Sequence, residues 1–237
     1  MHVKSLRRIV VMVVAMVASS LSLVAVSTVP ANAASYTSFA ELENNYSSVR
    51  YGVAVTLTGR VGYDTAAPKY VNAGTATLQR LVYGSSSWAN VSSKTYTDTT
   101  TDVVWSLKPS NTTQYRIVYS GGTYGADTYG VSTSNVVKVS VKRNLGDNFN
   151  RTTRVFYGKV TPSYGGRTLY IQKSTCSSPT SSSCTWSLYK TLKTTSTGSW
   201  STKLPAYSRR THFRGLVKAS NGFIGGYSNY YVTTYSY

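Results

Sequence analysis

The chain contains an internal repeat, because six short elements occur twice in the same order. "LTGRV" at 57–61 recurs as "FYGKV" at 156–160, and "QYRIV" at 114–118 recurs as "HFRGL" at 212–216. A repeat of about 90 residues predicts two homologous domains. The other elements pair "ATLQR" at 76–80 with "LYIQK" at 169–173, Trp88 with Trp186, "DVVWSLKP" at 102–109 with "GSWSTKLP" at 198–205, and "SNVVKVSV" at 134–141 with "SNYYVTTY" at 228–235.

Both repeats carry the pattern of short β-strands. Val, Thr, Tyr and Ile alternate with polar residues over short runs, and Gly, Ser and Asn interrupt these runs. "SFAELENNY" at 38–46 has helix-like spacing but is too short to predict a helix. About seven strands per repeat are typical of an antiparallel sandwich. The sequence therefore predicts an all-β chain with two tandem immunoglobulin-like antiparallel β-sandwich domains.

The N-terminus has the order of residues found in a secretory signal peptide. Lys4, Arg7 and Arg8 precede an apolar stretch at 9–26, and small residues at 31–33 form an Ala-x-Ala cleavage site. A transmembrane anchor is the alternative, because the apolar stretch is nearly long enough to span a bilayer. The serines inside the stretch and the Ala-x-Ala site favour cleavage. We therefore expect a secreted, extracellular protein without a membrane span after cleavage.

These signals together predict the domain organisation. The expected division is a signal peptide at 1–33, an N-terminal segment at 34–48, a first sandwich at 49–143, a linker at 144–150 and a second sandwich at 151–237.

Cys176 and Cys184 are the two cysteines of the chain, and a run of mostly Ser, Thr and Pro separates them. Nearby thiols are normally oxidised outside the cell. A zinc site would need two further ligands, and a cysteine nucleophile would need a base beside it. His212 is the one imidazole that follows the predicted cleavage site. A disulfide that stabilises a loop tip by about 2 to 3 kcal/mol is therefore the favoured interpretation.

Four stretches carry a resemblance to a known family. These are "VRYGVAVTLTGRV" at 49–61, Trp88, "TTQYRIVYSG" at 112–121 and "VVKVSVKR" at 136–143. They resemble the repeats of secreted actinobacterial proteins with bacterial immunoglobulin-like domains, and the resemblance spans nearly the whole mature chain. It implies a sandwich fold in an extracellular or surface module, for which binding is more common than catalysis. It carries over no catalytic residue.

The inventory of reactive side chains argues against an enzyme. The chain has seven acidic residues, and Asp147 alone lies beyond residue 142, so two carboxylates cannot form a glycosidase site within the second domain. His212 is expected to be an exposed strand residue rather than a member of a catalytic triad. Asp98 and Asp102 fit turn capping better than a cation site. The sequence also lacks a phosphate-binding loop and a zinc-protease motif, so we expect no catalytic residue, metal or cofactor.

The basic charge is concentrated in the second repeat. Residues 34–142 contain nine basic and six acidic residues, which gives a formal charge of +3. Residues 143–237 contain 13 basic residues and one acidic residue, which gives +12. This asymmetry predicts attraction to an anionic partner.

Strand alternation predicts which side chains share the outer face of the second sandwich. If Phe213, Val217 and Ala219 point inward, then His212, Arg214 and Lys218 point outward. In the same way, Trp186 and Leu188 are predicted to point inward and Tyr189 outward, and all four tryptophans are expected in the cores. A solvated face without a ligand is the alternative. The predicted binding face consists of Tyr189, Arg209, Arg210, Arg214, Lys218 and Tyr230.

The sequence thus predicts a secreted, non-enzymatic binding module. Its basic second domain would associate with an anionic cell-wall polymer or polysaccharide, through charge and aromatic stacking. The alternative is a structural spacer or a scaffold for an extracellular protein partner, which includes inhibitor-type recognition through the cysteine loop. For nucleic acid we expect only salt-sensitive attraction without sequence specificity.

Overall fold

A computed structural model describes residues 33–162 and 164–234. The predicted signal peptide up to residue 32 lies outside the described residues. Within the described ranges the chain forms strands, turns and loops but no helix, so the all-β prediction is confirmed. Accordingly, none of these residues belongs to a helix long and apolar enough to cross a membrane.

The strands of the first repeat form one sandwich. One sheet has the order β2-β4-β5 with β8 also paired to β4, and the facing sheet has the order β3-β13-β9-β6-β7 with β12 paired to β9, while β1, β11 and β10 form a small separate sheet. The strands are β1 (Ser35–Tyr36), β2 (Ser38–Asn44), β3 (Ser48–Arg50), β4 (Val55–Tyr63), β5 (Lys69–Tyr70), β6 (Thr75–Val82), β7 (Ala89–Thr95), β8 (Asp102–Leu107), β9 (Thr113–Tyr119), β10 (Gly122–Tyr124), β11 (Asp127–Tyr129), β12 (Ser132–Thr133) and β13 (Val137–Lys142).

The second repeat forms a smaller sandwich of the same kind. One sheet has the order β14-β15-β18, and the other has the order β17-β16-β19-β20. Its strands are β14 (Asn148–Asn150), β15 (Val155–Lys159), β16 (Thr168–Ser174), β17 (Ser187–Lys193), β18 (Ser199–Lys203), β19 (Thr211–Val217) and β20 (Gly226–Thr233). Two facing sheets of short, mainly antiparallel strands define an immunoglobulin-like sandwich, so both repeats adopt the predicted fold, with β3 paired in parallel to β13 in the first.

Alternation of side chains explains why these runs form strands. Along β4, Val55, Leu57 and Val61 are buried, and the threonines between them are partly exposed. Along β9, Tyr115 and Ile117 point into the same core. Because successive strand residues face opposite sides, this spacing places the apolar residues of both sheets between the sheets.

The buried tryptophans of the two cores lie opposite different residues of the neighbouring strand. In the first core Trp105 lies opposite Leu57, whereas in the second core Trp200 lies opposite Gly158. Both tryptophans are buried, as predicted. An alignment of Trp105 with Trp200 is therefore wrong by two residues, because Phe156, the counterpart of Leu57, pairs with Thr202 rather than with Trp200.

The segments that flank the first sandwich also belong to the packed structure. Strand β2, within the segment 34–48, pairs with β4 along its whole length. The side-chain amide of Asn135 donates to the backbone carbonyl of Leu42 and accepts from its N–H group, both at 2.9 Å. Leu145, in the segment 144–150, is buried in the second core. The packed structure of both sandwiches therefore extends beyond the repeated motifs.

The turn between β19 and β20 joins the two sandwiches, which belong to one compact unit. Phe223 packs against the first core, and the N–H of Thr112 donates to the carbonyl of Gly222 at 2.8 Å. Arg143 is buried beneath this turn and donates to the carbonyl of Ser220 at 3.1 Å, and its guanidinium carbon lies 4.1 Å from the centroid of Phe223. Burial lowers the pKa of Arg143. One of the 13 basic residues counted in 143–237 therefore lies at the junction rather than on the surface.

Candidate binding site on the second sandwich

An arginine clamped between two aromatic rings lies on the outer face of the β17-β16-β19-β20 sheet. The Nε of Arg214 donates to Oε1 of Gln172 at 2.9 Å. Its guanidinium carbon lies 4.1 Å from the ring centroid of Trp186 and 3.8 Å from that of Tyr227. Both distances are well within the range of a cation–π contact. Trp186 is thus half-buried on the outer face, and the prediction that it belongs to the core is wrong.

The first sandwich contains the same stack in a simpler form. The Nε of Arg116 donates to Gln79 at 2.9 Å, and its guanidinium carbon lies 4.3 Å from the ring centroid of Trp88. Trp88 is likewise half-buried on the outer face and not in the core, as had been predicted. Thr133 is exposed at the position that corresponds to Tyr227, so Arg116 has no second ring there.

The correspondence between the repeats is fixed by equivalent backbone contacts. Ser134 accepts a hydrogen bond from the N–H of Ile117 at 2.8 Å, and Ser228 accepts one from the N–H of Gly215 at 2.7 Å. Because these contacts occupy matching places, the Gln–Arg–Trp stack is common to both repeats. The second ring on the arginine is particular to the second repeat.

The guanidinium of Arg214 stays charged and is held in one position by its neighbours. Burial lowers the pKa of Arg214, and Tyr227 acts in the opposite direction. Since the ordinary pKa of arginine lies above about 12, the side chain stays protonated at neutral pH. A planar cation held by Gln172 on one edge can offer its remaining N–H groups to an anion.

The predicted disulfide between Cys176 and Cys184 is confirmed. It closes a loop, here called the stapled loop, at 176–184. The hydroxyl of Ser174 lies 3.0 Å from Sγ of Cys176 and 3.1 Å from Sγ of Cys184, which anchors the base of the loop to β16. A pocket of about 380 Å³ lies between the stapled loop and the sheet. Its walls are 179–182 and Cys184 from the loop and Trp186, Arg214, Tyr227, Ser228 and Tyr230 from the sheet side.

His212 is buried at the edge of this region, with 1% of its surface exposed, so the prediction of an exposed histidine is wrong. Its ring lies 5.6 Å from that of Tyr230, and the backbone of Cys176 is a close neighbour. Neither ring nitrogen has a hydrogen-bond partner of ordinary geometry among the described residues. Burial lowers the pKa of His212, and the nearby charge of Arg210 lowers it further. Alternation places the side chain of His212 on the outer side of β19, away from Phe213. The ring is nevertheless buried, because the base of the stapled loop covers it.

Tyr189 does not lie on the outer face, and the predicted orientation is wrong. Gln172 pairs with Leu188 and Ile171 pairs with Lys190, so a β-bulge leaves Tyr189 without a partner. Trp186 and Leu188 both lie on the outer side, so alternation itself turns Tyr189 inward, and the error lies in the inward orientation predicted for Trp186. Tyr189 therefore packs against Phe213 at a centroid distance of 5.3 Å, and Leu188 is 59% exposed.

The remaining predicted residues lie at separate places. Arg214 and Tyr230 lie directly opposite each other on β19 and β20. Lys218 follows the end of β19, where it is exposed and its Nζ lies 4.8 Å from the ring centroid of Tyr170. Arg209 and Arg210 are exposed just before β19, at its other end. The inward orientation predicted for Ala219 is also wrong, because Ala219 is exposed beyond the end of the strand.

Arg209 contributes to a second pocket of about 390 Å³. Lys173 and Tyr207 also line it, and the Nζ of Lys173 lies 5.4 Å from the ring centroid of Tyr207. The six predicted residues thus do not form one cluster. Sequence reasoning also missed Trp186 and Tyr227. The joint recurrence of Gln, Arg and Trp in both repeats was the signal for Trp186, and no repeated pattern marks Tyr227.

The described residues contain no group of three or more His, Cys, Asp or Glu side chains arranged to hold a metal ion. No family model matches the chain, and no curated protein matches it.

Several solved structures are distantly similar to the chain. The ligand-binding domain of human OSCAR is 13% identical with a TM-score of 0.32, and the alignment covers 82% of this chain and 97% of that one. The FN1–FN3 domains of chicken CNTN1 are 14% identical with a TM-score of 0.30, over 84% and 66% of the two chains. Red sea bream transglutaminase is 9% identical with a TM-score of 0.37, over 84% and 31%. At these scores the assignment of the fold rests on the strand pairing described above.

Proposed function

We propose that this chain is a secreted, non-enzymatic binding module whose second sandwich associates with an anionic extracellular polymer, such as an acidic cell-wall polymer or polysaccharide. The observation that carries the proposal is the charge of residues 143–237, with 13 basic residues against one acidic residue. Clustered positive charge attracts polyanions from solution and retains them in a salt-dependent way. The resemblance to secreted repeat proteins and the disulfide, which suits an oxidising compartment, support an extracellular site of action.

The exposure of these cations supports the proposal. Arg143 is buried at the junction, and Arg214 is clamped on the sheet, but most of the other basic side chains reach solvent. They lie on strands of both sheets, β15, β17 and β18, and in loops, which favours contact with a long flexible polymer over a compact ligand. The exposed residues are Arg151, Lys159, Arg167, Lys190, Lys193, Lys203, Arg209, Arg210 and Lys218.

Co-sedimentation of the chain from Ala34 onward with cell-wall material tests this function. Changing Arg209, Arg210 and Lys218 together to Ser should weaken capture at physiological salt by roughly tenfold, because three exposed charges leave the second sandwich. The matched control changes Lys69, Lys94 and Lys108 to Ser, which removes three exposed charges from the first sandwich. Equal effects of the two triple variants, or no capture of wall material by the wild-type chain, would contradict the proposal.

A spacer or protein-interaction scaffold is the second candidate. It is favoured by the junction around Arg143 and Phe223, which fixes the two sandwiches in one compact unit. In that case the chain captures no polymer at physiological salt, and a specific protein partner co-purifies with it. Inhibitor-type recognition through the stapled loop would be weakened by reduction of the disulfide, whereas polymer binding driven by the exposed cations would be little affected.

A further inference from the structure

The pocket beneath the stapled loop differs from the rest of the basic surface, because it is concave, partly aromatic and contains one cation. We propose that it is a subsite for a single carboxylate-bearing sugar residue, such as a hexuronate unit of an acidic polysaccharide. This inference rests on the proposed function, since it names the chemistry of one contact within the binding of an anionic polymer. A volume of about 380 Å³ lies within the usual range for small-ligand sites.

The charge of the pocket fits one carboxylate. Arg214 is the basic residue in its wall, while Lys218 and Arg209 lie beyond opposite ends of β19. The Nε of Arg214 is bound to Gln172, and neither Nη has a hydrogen-bond acceptor among the described residues. A planar pair of N–H donors matches the two oxygens of a carboxylate. A chain of phosphodiesters would gain more from several neighbouring cations than this pocket provides.

The remaining walls fit a sugar ring. Tyr227 is 50% exposed and Tyr230 is 45% exposed, so each offers apolar ring surface to the C–H groups of a saccharide. Thr180 and Ser182 line the opposite wall in the stapled loop and can exchange hydrogen bonds with sugar hydroxyls. Aromatic surface beside a few well-placed polar groups is typical of a small-ligand site.

The first sandwich shows which part of this arrangement is structural. It keeps the Arg116–Gln79–Trp88 stack, but Thr133 and Val136 occupy the positions of Tyr227 and Tyr230. Its two sheet strands β6 and β7 are joined by a short turn that contains no cysteine. The stack therefore belongs to the fold of both repeats, whereas the pocket beneath the stapled loop is built with the two tyrosines and the loop of the second.

The test is titration calorimetry of the chain from Ala34 onward with a galacturonate tetramer, a neutral galactose tetramer and a glycerol phosphate oligomer. We expect binding of the galacturonate tetramer in preference to the other two. Arg214→Gln and Tyr230→Ala should each weaken that binding by about tenfold or more, because the first removes the paired donors and the second removes exposed ring surface. Arg116→Gln, which breaks the matching stack without a pocket, should leave it unchanged.

Tyr230→Ala keeps the experiment decisive if Arg214→Gln does not fold, because Tyr230 is exposed. The inference fails if Tyr230→Ala binds the galacturonate tetramer as well as wild type, or if the glycerol phosphate oligomer is preferred. It also fails if the wild-type chain captures wall polymer but not the tetramer, and in that case the proposed function stands. If the wild-type chain captures no polyanion in either assay, the proposed function falls as well.

Discussion

At the scale of single residues, the face of a sheet on which a side chain lies does not decide its exposure. His212 and Arg214 are neighbours on the same side of β19. The ring of His212 is buried with no hydrogen-bond partner of ordinary geometry among the described residues, whereas the guanidinium of Arg214 is held in an open pocket. The difference comes from the stapled loop, whose base covers His212. A buried imidazole without partners is stable only in its neutral form.

The pH dependence of stability follows from His212. Its pKa is lowered in the folded chain, so the unfolded chain binds a proton first as the pH falls below about 6.5. The free energy of unfolding should therefore decrease from pH 7.5 downward through the lowered folded pKa and then level off as far as His212 is concerned. Urea unfolding at pH 7.5 and pH 5 measures this. His212→Gln, which does not titrate, should lose most of the difference, and an unchanged difference in that variant would contradict the assignment.

At the scale of elements, both repeats place a bulge at the same point. In the first sandwich Leu78 pairs with Ser92 and Gln79 pairs with Asn90, so Val91 is the unpaired residue, as Tyr189 is in the second. Each lies three residues after the outer-face tryptophan. Strict alternation from an outward Trp186 gives the inward orientation of Tyr189. It cannot predict the bulge, because a bulge depends on the pairing with a neighbouring strand. The recurrence of an apolar residue at this offset was a detectable signal.

The stapled loop should contribute measurably to the stability of the second sandwich. Replacing Cys176 and Cys184 together with Ser should lower the free energy of unfolding by about 2 to 3 kcal/mol, because the short loop is no longer closed in the unfolded chain. Denaturant titration of the double variant beside wild type gives this value. Ser183→Ala, which changes the loop but keeps the bridge, is the matched control. A double variant as stable as wild type would contradict the stabilisation attributed to closing this loop in the unfolded chain.

At the scale of the whole molecule, the number and class of the sandwiches could be predicted from the sequence. The strand patterns that recur along the chain involve only residues close together in sequence, so they can be recognised without the structure. The disulfide was also predictable, since the two cysteines have no other partners. The junction was not predictable, because Arg143 and Phe223 lie 80 positions apart in the chain and neither belongs to a repeated motif. The position of Lys218 beyond the end of β19 likewise depends on where pairing stops, which alternation does not specify.

The asymmetry of charge between the two sandwiches is the basis of the proposed function, and hydrogen–deuterium exchange tests it most directly. The chain from Ala34 onward would be measured alone and with saturating acidic wall polysaccharide. We predict slower exchange in β16, β19, β20 and the stapled loop, and little change in the first sandwich. Protection confined to the first sandwich, or no protection anywhere, would contradict binding through the second.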